Sequence, residues 1–159
     1  MFGREHDLSR LLVLLRGGVR LLTLRGPGGI GKTTLALHLA RALKEPDDSS
    51  QFDHVQVIDL SAVSEPDRVI GLIAAALPEG GSHGEPVQRI QAFAATRRTL
   101  LILDNFEQLL PAAAGLADLL AATTTLTLVV TSRSALRLHD EVEYPVEPQG
   151  NDLGATAVL

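Results

Sequence analysis

The sequence predicts an α/β fold in three layers: a mainly parallel sheet of five strands with helices on both faces. Three observations carry the prediction. Apolar runs of strand length alternate along the chain with segments of helix length, the order expected of βαβ units. Two of those runs, TLLILD and LTLVVTSR, stay apolar or β-branched until a polar tip, as strands covered on both faces do. Aromatic residues make up only 3% of a chain that is 45% hydrophobic, so aliphatic side chains must build the core, which suits helices packed on a parallel sheet.

Asp7 or Ser9 is placed to cap a first helix that runs to about Arg16, where Gly17 and Gly18 end it. VRLLTL (residues 19–24) is a buried strand bounded by glycine. After a glycine cluster, KTTLALHLARAL (32–43) reads as a helix, and EPDDSSQFD (45–53) as a polar loop. HVQVIDL (54–60) alternates and is β-branched, a second strand. A helix opened by Glu65 and Pro66 runs to Leu77; the loop 78–86 follows, then a helix over 87–98. Residues 99–104 form a third strand, 106–122 a helix broken by Pro111 near its start, and 126–133 a fourth strand. VEYPV (142–146) is a weak fifth strand whose Pro145 puts it at an edge or a strand end. In such sheets ligands bind beyond the carboxyl ends of the strands, so the polar clusters after Leu24, Leu103 and Val130 converge on one edge.

Bulk composition excludes several function classes. At 159 residues the chain has the length of one domain, and its mean hydropathy of +0.18 suits a packed core. Net charge is −5 with no basic block, so direct DNA contact by this segment is not expected. The nearest basic pair, Arg97-Arg98, reads as a solvated helix end. There is no cysteine, and the five histidines lack metal-ligand spacing. No segment has the length and apolarity of a membrane span or a secretory signal, so a cytoplasmic location is expected.

The glycine cluster carries the sharpest chemistry. Gly26, Pro27, Gly28, Gly29, Ile30, Gly31, Lys32 and Thr33 satisfy G-x-x-x-x-G-K-[ST], the P-loop pattern, between a predicted strand and a predicted helix. The first amides of a helix are unsatisfied donors at the positive end of its dipole. Aiming several of them at one anion takes the loop through backbone conformations that a Cβ obstructs, and glycine permits them. Lys32 is then expected against the β and γ phosphates, the Thr33 hydroxyl on Mg²⁺, and Thr34 near the α phosphate. The fold class sharpens to a three-layer P-loop NTPase.

Asp104 ends an apolar strand, as does the carboxylate that serves the Mg²⁺ shell of such sites. The alternative is an aspartate capping the helix that begins at Asn105 or Phe106. Asn105 stands where many P-loop ATPases carry a second acid; an amide orients water but accepts no proton. Glu107 is the nearest acid available as base, with an exposed first-turn glutamate as the other reading. Arg133, closing the fourth strand, is placed to contact a γ phosphate, against the plainer reading of a surface arginine.

With these residues in place, the chain resembles the STAND class of P-loop ATPases, and within it the NB-ARC-like domains of bacterial multidomain transcriptional regulators. FGREHDL is similar to the class's N-terminal Gly-Arg-Glu motif, GPGGIGKTTLA to its P-loop, LLILDNFEQLL to its metal-binding strand, and TSRSALRLHDEVEYPVEP to its sensor arginine and the segment after it. The resemblance implies that Gly3 and Arg4 join an adenine pocket, that Asp104 holds Mg²⁺ through water, and that Arg133 is a sensor. It implies residues 1–18 as an adenine-pocket segment, 19–148 as the NTPase core and 149–159 as the start of a truncated helical subdomain. The expected function is an ATP/ADP switch with slow Mg²⁺-dependent hydrolysis, the core of a larger regulator, partnered by other domains of a longer chain and by further copies in a nucleotide-dependent homo-oligomer. A non-hydrolysing assembly scaffold is the alternative, and a small-molecule kinase ranks lower because PEGGSHGEP lacks a lid arginine. No guanine-reading Asn-Lys-x-Asp element is present.

Overall fold

The computed structural model describes residues 4–45, 51–78 and 84–148. In chain order the elements are α1 (Glu5–Arg16), β1 (Leu21–Arg25), α2 (Lys32–Lys44), β2 (His54–Asp59), α3 (Val69–Ala76), α4 (Pro86–Ala95), β3 (Thr99–Asp104), α5 (Ala113–Ala121), β4 (Leu126–Ser132) and β5 (Glu141–Pro145). The five strands form one sheet in the order β2-β3-β4-β1-β5, and every pairing is parallel. Among the described residues no helix is long and apolar enough to cross a membrane.

Side-chain alternation along the central strands divides the core in two. Leu101 and Leu103 of β3 and Leu126, Leu128 and Val130 of β4 face α3, α4 and α5. Leu100, Ile102 and Val129 face the other way, onto Leu11 and Leu15 of α1 and Leu35 and Leu39 of α2. A strand that is buried on both sides needs apolar residues at every position, which explains why TLLILD shows no alternation of its own.

Several element ends differ from the sequence reading. α1 begins at Glu5, and neither Asp7 nor Ser9 caps it: Arg4 holds the cap position without a side-chain bond, its carbonyl accepting the Leu8 N–H at 2.9 Å. β1 starts two residues late because Gly18 turns through φ 98° and the Val19 N–H still bonds to Leu14. Residues 66–68 form a 3₁₀ turn ahead of α3. α4 stops at Ala95, three residues short; Arg97 then lies over the Phe93 ring at 4.3 Å, and Arg98 pairs with Asp53. The helix over 106–122 is broken as expected, into a 3₁₀ stretch Glu107–Ala112, kinked at Leu109, and α5. β5 is an edge strand carrying Pro145 at its end. Gly3, most of the loop 78–86 and the 149–159 segment lie outside the described residues.

Candidate functional site

β1 lies beside β4, and β4 beside β3, so the tips that carry the three polar clusters are neighbours. The loop 26–31 leaves β1 with the Gly26 N–H donating to the Ser132 carbonyl at 3.2 Å. A Cβ on Gly26 would sit 3.2 Å from the Val146 oxygen, too close for an alanine without movement. Gly29 (φ 79°) and Gly31 (φ 101°) are left-handed, a conformation that costs other residues about 1–2 kcal/mol. Gly31 opens α2, whose first turn has neither a capping side chain nor an acidic residue. No side chain of the helix's own first turn therefore offsets its positive dipole end, which suits an anion.

Lys32 is the first residue of α2 and is buried, with Nζ donating to the carbonyls of Gly26 (2.6 Å) and Pro27 (3.0 Å). Burial pulls its pKa below 10.5; Glu107 opposes that shift most strongly, Arg133 reinforces it, and Asp104 opposes it. A desolvated ammonium beside an uncapped helix start binds a polyphosphate more strongly than one in bulk water.

Asp104 does not cap the following helix, since Phe106 holds that position without a side-chain bond. Its carboxylate, 5% exposed, instead accepts from Thr33 Oγ1 at 2.9 and 3.0 Å, from Thr131 Oγ1 at 2.5 Å and from Asn105 Nδ2 at 3.2 Å. Asn105 has φ 68°, and its N–H donates to Thr131 Oγ1 at 2.8 Å. Its amide also reaches Asp59, in register with Asp104 on the neighbouring strand, at 3.4 Å. The Ser61 backbone N–H is the main cause holding the Asp59 carboxyl below its usual pKa.

A cavity of about 430 Å³ is lined by Gly28, Gly29, Gly31, Lys32, Thr33, Thr34, Asn105, Glu107 and Arg133. A second space of similar volume shares Asn105, Glu107 and Arg133 and adds Ser61 and Gln108. Glu107 is half-buried, not exposed, and its Oε1 accepts no hydrogen bond from any described residue. Arg133 is exposed and lies over the loop, with Nη2 2.8 Å from where a Gly28 Cβ would stand.

Gly26, Pro27 and Ile30 shape the loop without lining the cavity. Arg4 is also absent from that lining. It sits behind the loop, 3% exposed, donating to the Ile30 carbonyl (2.8 Å), the Glu147 carbonyl (3.0 Å) and Asp7 (2.9 Å). Thr131 and Asp59 were not singled out as site residues from sequence. A weaker signal exists for Asp59: the alternating strand HVQVID also ends in an acid, as TLLILD does.

The groups present fit a nucleotide polyphosphate and a divalent ion. A hydroxyl and a carboxylate side by side offer hard oxygen donors, and no described cluster of three or more His, Cys, Asp or Glu residues forms a self-contained metal cage. That sparse donor set is what Mg²⁺ uses when phosphates complete its shell.

Comparison with known proteins agrees with this chemistry. The profile of the NACHT domain family matches residues 20–152. A Mycobacterium tuberculosis protein provisionally named an HTH-type transcriptional regulator is 36% identical over 129 residues, covering 80% of this chain and 14% of the relative. An uncharacterized protein of the same species is 33% identical over 148 residues, covering 92% and 36%. The chain thus spans only a minor part of these relatives. Among solved structures, Drosophila ORC bound to DNA superposes with a TM-score of 0.63 at 19% identity, covering 89% of this chain and 42% of that one. A STAND protein with a tetratricopeptide repeat sensor from Pyrococcus horikoshii gives 0.53 at 18%, covering 92% and 23%. At these identities the structural likeness speaks for the fold alone.

Proposed function

Because the chain belongs to the NACHT domain family of STAND P-loop NTPases, a nucleotide-binding family, we propose that it is an ATP/ADP-binding switch with slow Mg²⁺-dependent hydrolysis. The observation that carries the reading is the meeting of Lys32, Thr33 and Arg133 on one cavity at adjacent strand tips, with the Asp104 carboxylate, which does not itself line the cavity, bonded to Thr33. In this reading the loop amides and Lys32 hold the β and γ phosphates, and Thr34 reaches the α phosphate. Thr33, and Asp104 through water, would hold Mg²⁺, and the ion would neutralise charge on the phosphate oxygens. Glu107, which lines the cavity, would take the proton of an attacking water as ADP leaves the γ phosphorus, with Asn105 orienting that water. Arg133 reads the γ phosphate and transmits its presence along β4.

A non-hydrolysing scaffold is the second reading. It is favoured by Asn105, whose amide is committed to two carboxylates and cannot act as base. The name of the 36%-identical relative supports a place in a longer transcriptional regulator, for which a cytoplasmic location is part of the same reading. Other domains of that chain, or further copies, would then act as partners, and this acidic segment would not touch DNA itself.

Isothermal titration with ATP and ADP in Mg²⁺ tests the reading. Micromolar or tighter binding is expected in the wild type, weakened at least about 100-fold in Lys32→Ala. Absence of binding by the folded wild-type protein would refute it. Single-turnover hydrolysis that is lost in Glu107→Gln separates the switch from the scaffold.

A further inference from the structure

The tip of β4 touches every part of the site. The Ser132 carbonyl receives the Gly26 N–H of the loop, Arg133 reaches the cavity, and Thr131 lies against the carboxylate. Thr131 is 1% exposed, and its hydroxyl is used twice. It accepts the Asn105 N–H at 2.8 Å and donates to Asp104 Oδ1. A hydroxyl carries one proton, and an amide N–H can only donate, so the direction of both bonds is fixed.

Thr33 also donates to Asp104, and it lines the cavity, where its hydroxyl would meet a metal in the reading above. Thr131 does not line the cavity. A hydroxyl that offers a lone pair to an ion keeps its proton for Asp104, so the carboxylate is held by Thr33, which lines the cavity, and by Thr131, which does not; the Asn105 backbone is itself held by Thr131.

Resting on the nucleotide-binding reading above, we propose that Thr131 is a positioning residue for metal-dependent nucleotide binding. It locks the Asp104 carboxylate toward Thr33 before any ion arrives. The metal-side geometry is thereby set by the same three-residue tip that carries Arg133, so metal and γ phosphate are read by one rigid strand end.

ATP affinity measured by isothermal titration in Mg²⁺ and in EDTA tests this on the wild type, Thr131→Val, Thr131→Ala and Thr131→Ser. The wild type should bind more tightly with Mg²⁺. Val and Ala should keep the EDTA affinity while losing on the order of tenfold of the Mg²⁺ gain, and Ser should restore it. A full Mg²⁺ gain in either hydroxyl-free variant overturns the proposal. So does an equal loss with and without metal, which marks a purely structural hydroxyl. A wild type that binds ATP but gains nothing from Mg²⁺ overturns this inference alone, whereas one that binds no ATP under either condition sinks the nucleotide reading.

Discussion

Tyr144 is the only tyrosine in the chain, and there is no tryptophan, so its ionisation can be followed by ultraviolet absorbance without interference. Its hydroxyl donates to Asp7 Oδ1, at the start of α1. Burial, then the bond to Asp7 and its charge, push the phenol up to about 12, with Arg10 pulling the other way. Because the folded value lies above the ordinary value of 10.0, burying the neutral, hydrogen-bonded phenol contributes stability that is fully present below 10.0 and is lost as pH rises through about 12. Asp7→Asn is expected to move the tyrosinate midpoint down toward 10.0 without reaching it, since burial remains. An unchanged midpoint would show that Asp7 does not act on Tyr144.

At the scale of elements, the loop and the helix it feeds act as one unit. Gly31 sits at φ 101°, and a Cβ there would also stand 3.0 Å from Arg4 Nη2. Gly31→Ala should therefore cost about 1–2 kcal/mol in denaturant unfolding, and should weaken ATP binding by at least tenfold because the amides shift. Gly29→Ala carries the backbone penalty with open space around the new methyl, so its binding loss should be the smaller of the two. The P-loop pattern is legible in sequence because its glycines are a backbone requirement. The element ends were less legible. α1 extends to Glu5 because Arg4 is anchored by contacts 26 and 143 residues away, which no local capping rule contains.

At the scale of the molecule, Arg4 ties together the first described turn, the P-loop and the segment leaving β5. Arg4→Ala is expected to lower stability by about 2–3 kcal/mol, and Arg4→Lys to recover only part, since an ammonium lacks the planar fork that serves three acceptors at once. Equal stability of Arg4→Lys and wild type in urea would rule out the clamp. The Gly-Arg-Glu resemblance implies Arg4 in an adenine pocket; in the structure its guanidinium bonds to the Ile30 and Glu147 carbonyls and to Asp7.

By itself, the sequence determined the α/β class, the five strands, the P-loop pattern and the acid ending TLLILD. Each of these is a local property: an apolar run, a glycine spacing, a charge at a strand end. Only the tertiary structure decided that Thr131 bonds to Asp104, that Asp59 stands beside it, that Glu107 lines the cavity, and that Arg4 lies behind the loop. Those facts depend on the strand order β2-β3-β4-β1-β5, which brings residues 59, 104 and 131 to adjacent tips. Periodicity along a chain records which face a residue shows to the core. It carries no record of which distant strand lies next to it, because that choice is made by the packing of the two cores as a whole.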